Sequence, residues 1–311
     1  MPSPTRAAGA VADARHGNWV DRFAPEWLKP YARLARWDRP IGFWLLFWPC
    51  GYALALAALA DPTRGFNWQA LILMLIGAIA MRGAGCTLND IVDADLDKRV
   101  ERTRSRPIAA GRVSKRSAAI FLALQLLVGA AVVATFNLLT IELAVLSLVL
   151  VAIYPFMKRI TWWPQLFLGL AFSWGALVGW TSQIGSLSLP PLLLYLGCIF
   201  WVIGYDTIYA LQDVEDDALA GIKSTARLVG DNVKIAVGIF YAAAAICWLV
   251  ATALVADISV FVLIAIVPAG LLGWQLVTLE PKSAKSALRV FKSNNWVGLT
   301  LTAALLLVLY V

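Results

Sequence analysis

Asn89, Asp90, Asp93 and Asp97 stand together in NDIVDADLD, and Tyr209, Asp213 and Asp217 repeat the same four-residue step in YALQDVEDD. A helix turns about 100° per residue, so side chains four apart form one slowly drifting stripe and can share a target. Carboxylates on such stripes repel one another, and drawing a single Asp into a membrane interior costs roughly 2.5–3.5 kcal/mol even on insertion scales. Two escapes exist: solvation in a loop, or neutralisation by divalent cations. Either suits one cluster alone; two clusters with one spacing favour the cation. His16 is the only histidine, so the donors are oxygens, which points to magnesium rather than zinc. Asp93, Asp95 and Asp97 resemble the opening of a calcium loop, but Lys98 stands where its glycine belongs and Arg104 where its closing Glu belongs.

Magnesium keeps several waters and binds through one or two carboxylates plus substrate phosphates, so a phosphorylated substrate is the expected occupant. The cations nearby agree. Arg102, Arg104 and Arg106 follow the first cluster, Lys223 follows the second, and Lys158 with Arg159 closes YPFMKR. Guanidinium forks and ammonium groups suit phosphate and carboxylate oxygens. The competing account of each cation is membrane topology, which gathers Lys and Arg on one face.

The elements that position these residues are membrane spans. The chain has 311 residues, 60% hydrophobic and 14% charged, with a mean hydropathy of +0.75. Soluble domains carry about 25% charged residues. Nine apolar runs are near the roughly 20 residues that cross a hydrocarbon core: 41–60, 68–88, 117–136, 138–156, 164–184, 191–211, 234–255, 258–278 and 294–311. The first lies too far from the start, and is too long, to be a cleaved signal sequence. Cys50, Cys86, Cys198 and Cys247 all fall inside spans without CxxC spacing, so packing is their default role.

On this map every Lys and Arg except Arg64 and Arg82 falls on one side, read as cytoplasmic, with the N-terminus in and the C-terminus out. The net charge of +7 then belongs to one membrane face and its anionic lipids, not to nucleic acid, because no basic soluble module is present. Residues 17–39, with Trp19, Trp27, Tyr31 and Trp37 among five basic residues, read either as an interfacial helix or as a disordered tail. The acidic clusters follow the second and sixth spans, which suggests two related halves, about 40–160 and 161–280, a final helix at 294–311, and a preceding segment 1–39 outside the 40–311 membrane domain.

At these residues the chain resembles the UbiA-type intramembrane prenyltransferases, whose halves carry NDxxDxxxD and YxxxDxxxD. The two motifs lie about 120 residues apart, and RWDRPIGFWLLFWPCGYALALA, RSRPIAAG, YPFMKR and YDTIYALQDVEDDALAGIKST extend the match along most of the chain. Within the family it is most similar to bacterial members that prenylate 4-hydroxybenzoate for ubiquinone. The resemblance implies an all-α integral membrane protein, nine transmembrane helices around a central cavity open to the cytoplasm, in a bacterial inner membrane. It implies magnesium on an isoprenyl diphosphate held by Asp90, Asp93, Asp97, Asp213 and Asp217, with Asn89 and Tyr209 in support. Arg106 and Lys158, with Lys223 and Arg39, would contact the diphosphate. Membrane lipids surround the bundle, and no obligate protein partner is evident.

The chemistry implied is ionisation of the allylic C–O bond, attack by the ring carbon ortho to the phenol hydroxyl, and loss of the ring proton. An apolar cavity would protect the cation from water. Arg159 is the candidate for the 4-hydroxybenzoate carboxylate, and Asp213 for proton removal. Three rivals remain. The acceptor could be another ring, such as a menaquinone precursor, haem, homogentisate or chlorophyllide. A phosphatidyl-transferring enzyme would need DxxDGxxAR, and no glycine follows Asp93 or Asp97. A cation-coupled transporter would place its acids near the midplane, whereas these cluster at span ends.

Overall fold

The computed structural model describes residues 17–98, 103–219 and 221–310; Glu101 and Arg102 lie outside the described residues. The described chain is helical, without strands. Two short helices, α1 (Trp19–Phe23) and α2 (Lys29–Leu34), lead in. The side chain of Asn18 caps α1 by accepting from Val20 N and Asp21 N, and Pro30 opens α2 where no amide donor is needed. The segment read as one interfacial helix is thus two, with Phe23 and Trp27 exposed and Arg33 paired to Asp21 at 2.8 Å.

There follow α3 (Ile41–Ala60), α4 (Trp68–Val92), α5 (Ala94–Asp97), α6 (Lys115–Val133), α7 (Leu138–Ile160), α8 (Pro164–Ser173), α9 (Gly175–Ile184) and α10 (Leu189–Ala210). The series ends with α11 (Val214–Leu219), α12 (Thr225–Val229), α13 (Val233–Ala253), α14 (Ile258–Thr278) and α15 (Ala284–Tyr310). Among the described residues, seven helical stretches are long and apolar enough to cross a membrane: α3, α4, α6, α7, α10, α12 continued into α13, and α15. The run 164–184 is two ten-residue helices that meet at Trp174. Gly185, left-handed at φ 80°, ends α9 by donating to Thr181 O.

Contacts divide the chain into two units. Among the described residues, one holds the chain up to Phe43 together with Leu75–Val132, and the other Trp44–Met74 with the chain from Val133 onward. In the first, Leu34, Ala94, Ile108, Val113 and Ala118 form a core on which Tyr31, Ile91 and Phe121 pack. Helix α6 seats there through its inward stripe. Ala118 and Gln125 are buried while Ile120, Leu124 and Leu127 point outward, as lipid contact requires. Gly83 of α4 lets the Gln125 amide approach; a Cβ there would lie 2.2 Å from Nε2.

In the second unit α10 is the central element, packed against α8, α9, α13 and α15. Gly197 and Gly204 seat the rings of Trp248 and Tyr241 from α13, each within 3 Å of where a Cβ would stand. Arg64, off the basic face in sequence, is held in place: Nε bonds Asp61 Oδ2 at 2.7 Å and Nη1 bonds Gln183 O at 2.6 Å. Its position reflects a latch between a turn and the end of α9.

Candidate active site

The first motif begins on α4, which ends at Val92, and finishes on α5. Asp93 is the joint between them, at φ −92° and ψ 4°. The helical pitch survives the joint, because Asp93 N donates to Asn89 O at 2.9 Å and Asp97 N to Asp93 O at 2.8 Å. The expected stripe therefore exists, and its acids are buried: Asp90 is 1%, Asp93 0% and Asp97 5% exposed.

Arg106 answers that buried charge. Its Nη1 lies 3.2 Å from Asp90 Oδ1, 3.1 Å from Asp97 Oδ1 and 2.9 Å from Asp97 Oδ2. The loop that aims it is built from RPIAAGRV. Ala110 N donates to Arg106 O, Gly111 turns left-handed at φ 71°, and Val113 N returns to Pro107 O, so that Ile108 and Val113 enter the core. Burial pushes the Asp97 carboxyl above its usual range, against the pull of Arg106. Asp95, off the stripe, is exposed and pairs with Lys98 and Lys115, which hold its carboxyl below the usual range.

A second guanidinium reaches the site, and the sequence reading did not include it. Arg36 Nη2 lies 2.7 Å from Asp90 Oδ1. Burial works to lower its pKa, and the groups around it, Asp90 foremost, together outweigh that and leave it above its usual value. Arg39, the expected contact, lies with Nε 3.4 Å from Asp38 Oδ1. No sequence signal singled out Arg36, since the motif partner lies 54 residues away.

The second motif sits at the end of α10. Tyr209 packs against Phe291 with ring centroids 4.6 Å apart and the rings tilted by 49°, and Phe291 also meets Tyr205. Here the pitch is interrupted. Gln212 N and Asp213 N make tight bonds to Tyr209 O and Ala210 O, both at 3.2 Å, before Asp217 N resumes the four-residue step to Asp213 O at 2.7 Å. Asp213 is 8% exposed.

Around it the GIKST segment is tied down. Thr225 Oγ1 and Thr207 Oγ1 are 2.6 Å apart, Thr225 N donates to Gln165 Oε1 at 3.0 Å, and Ser224 caps α12 by accepting from Arg227 N. Lys223 N donates to Lys158 O and Lys223 Nζ to Ile160 O, both at 3.0 Å, so Lys223 and the end of YPFMKR come together. Arg159 is exposed at the same helix end, and Arg227 lies 5.3 Å from the ring centre of Trp162.

Among the described residues no three His, Cys, Asp or Glu side chains are gathered into a ready metal cage. Magnesium does not need one, since it takes one or two carboxylates and fills its octahedron with water and phosphate oxygen. Asp90 supplies a fitting donor. Its Oδ2 is buried and has no hydrogen-bond partner among the described residues, while both arginines sit on Oδ1.

Residues 46–308 match the UbiA prenyltransferase family. This chain belongs to that family. It is 44% identical over 286 residues to the mitochondrial 4-hydroxybenzoate polyprenyltransferase of Arabidopsis thaliana, covering 91% of this chain and 70% of that one. Identity to 4-hydroxybenzoate geranyltransferase 1 of Lithospermum erythrorhizon is 43%, covering 93% and 94%. For the mitochondrial 4-hydroxybenzoate polyprenyltransferase of Rattus norvegicus it is 45%, covering 91% and 76%. The apo structure of a UbiA homologue from Aeropyrum pernix K1 superposes with a TM-score of 0.70 at 25% identity, over 84% of this chain and 97% of that one. The structure of a UbiA homologue from Archaeoglobus fulgidus bound to GPP and Mg2+ does so at 0.67 and 19%, over 91% and 100%.

The family membership corrects one expectation. The Arabidopsis, rat and Drosophila melanogaster relatives are mitochondrial enzymes, and this overturns the expectation of a bacterial inner membrane. The cytoplasmic assignment of the basic face, which presupposed that membrane, falls with it. A multi-pass membrane protein remains.

Proposed function

We propose that this chain transfers a polyprenyl group from an isoprenyl diphosphate to the carbon ortho to the hydroxyl of 4-hydroxybenzoate, giving 3-polyprenyl-4-hydroxybenzoate and diphosphate in ubiquinone synthesis. The observation that carries the reading is identity of 43–45% over about nine-tenths of the chain to three enzymes named for that acceptor. Nine helices surround an apolar cavity in this reading, with the pair α8 and α9 counted as one broken span and α14 as another. The halves 40–160 and 161–280 each contribute one acidic motif, and residues 1–39 lie at the membrane surface.

Asp90, Asp93 and Asp97 with Asn89, and Asp213 and Asp217 with Tyr209, hold Mg2+ on the diphosphate. Support for the metal comes from the fold relative bound to GPP and Mg2+ and from the free Oδ2 of Asp90. When bound, Mg2+ supplies positive charge to the departing diphosphate oxygens. Arg106, Lys158, Lys223 and Arg39 grip the same oxygens, and their charge favours breaking the allylic C–O bond. Arg159 holds the acceptor carboxylate, fork to fork. The ring carbon forms the new C–C bond, and Asp213 takes the ring proton. Apolar walls exclude water from the allylic cation.

The test is mass spectrometry of products formed by the purified protein from a mixture of aromatic acceptors with a prenyl diphosphate and Mg2+. Prenylated 4-hydroxybenzoate with one diphosphate released per product is expected. A prenyl group found on a different acceptor, or no diphosphate release, overturns the reading. The same spectrum reads the tail preference, on which the polyprenyl- and geranyl-transferring relatives differ.

A further inference from the structure

Arg36 occupies a backbone position made for glycine. Helix α2 closes with a paired turn in which Trp37 N donates to Ala32 O at 2.9 Å and Arg36 N to Arg33 O at 3.2 Å. That closure requires left-handed backbone at the residue just past the helix, where glycine is usual. Arg36 adopts it at φ 61° and is the only non-glycine with positive φ among the described residues. A Cβ in this conformation crowds the following carbonyl, so the side chain must contribute something glycine cannot.

Its guanidinium spans two tasks. Nη1 donates to Arg33 O at 2.9 Å, adding to the backbone bonds that close α2, and Nη2 reaches Asp90 Oδ1 at 2.7 Å. Asp90 is buried, at 1% exposure of its side chain, and the Arg36 side chain is largely covered, at 12%. Arg106 also meets Asp90 Oδ1, but it is shared with Asp97, whereas Arg36 meets no other acid of the motif in the bonds it makes. With Nη2 on Oδ1, the buried Oδ2 is left as the lone-pair donor without a hydrogen-bond partner among the described residues.

We propose that Arg36 is a positioning residue for metal binding: aimed by the left-handed turn after α2, it holds Asp90 by Oδ1 so that Oδ2 is presented to the cation. This rests on the proposed magnesium-diphosphate site. The arrangement also joins the surface helix α2 to the acidic motif, so the anchoring of α2 and the order of the metal site are linked through one side chain.

The test uses the full chain in detergent, with Mn2+ as the probe in the presence of geranyl thiodiphosphate, read by electron paramagnetic resonance. Arg36→Gly and Arg36→Asn both suit the left-handed turn, and Arg106 still balances Asp90, so both variants should keep the wild-type melting temperature or exceed it. Their Mn2+ affinity should fall by about ten- to hundredfold, the loss usual for a residue that orients a ligand. In an Asp90→Asn background R36N should cost less than about twofold more, because its partner is already gone.

Wild-type affinity in R36G and R36N overturns the inference. So does an equal loss in the D90N background, or failure of both variants to fold, since either makes Arg36 a support for the chain and not for the ligand. The underlying reading fails separately: wild type and Asp93→Ala would then bind Mn2+ equally weakly.

Discussion

The two acidic motifs share a spacing and differ in construction. In the first, hydrogen bonds step from Asn89 to Asp93 to Asp97 without loss of pitch, and two arginines lie on the acids. In the second, tight bonds at 212 and 213 break the pitch between Tyr209 and Asp213, and Tyr209 is placed by its ring contact with Phe291. The nearby Lys223 directs its ammonium to the Ile160 carbonyl. Equal steps in sequence thus produce one stripe whose helical pitch runs unbroken and one whose pitch is interrupted. The first must balance three buried carboxylates before any ligand arrives; the second is shaped by the helix packing around α10.

That contrast can be broken by mutation. Asp93→Ala and Asp213→Ala should each lower product formation by on the order of a hundredfold or more, the size expected when charge stabilisation of a leaving group is lost. Near wild-type turnover in Asp213→Ala alone would leave the first motif as the reaction site and end the pairing. A smaller but sharper contrast lies in the cations. Arg106→Ala removes a partner from Asp90 and Asp97, and SDS titration should show a loss of about 3 kcal/mol, as for one side of a buried ion pair. Lys223→Ala gives up a hydrogen bond to a carbonyl at an exposed site and should cost about 1 kcal/mol or less. Equal losses would show that the second motif also depends on its cations for folding.

The smallest effect is expected at Asp95, which lies among the motif acids in sequence and outside them in space. Asp95→Asn should leave turnover within about twofold of wild type, because pairs between exposed side chains contribute little. A larger fall in a product assay would place Asp95 in the site after all.

Much of this was legible beforehand. The apolar runs at 41–60 and 138–156 correspond closely to α3 and α7, since crossing a hydrocarbon core sets both length and composition. The four-residue step of the first motif was readable because helical pitch is local. The break of 164–184 at Trp174 was not, because both halves are apolar and hydropathy does not register a joint. Nor was the role of Arg64, whose partner Gln183 is 119 residues away.

By itself the sequence determined a helical membrane protein of the UbiA family with two acidic motifs, because hydropathy, period and motif spacing are written along the chain. Tertiary structure decided which cations meet the first set of acids. Arg36 and Arg106, one before the motif and one after it in sequence, both meet Asp90 Oδ1. The reason is backbone direction. Left-handed turns at Arg36 and Gly111 aim those side chains, and a turn's consequence for a residue 54 positions away exists only once the chain has packed.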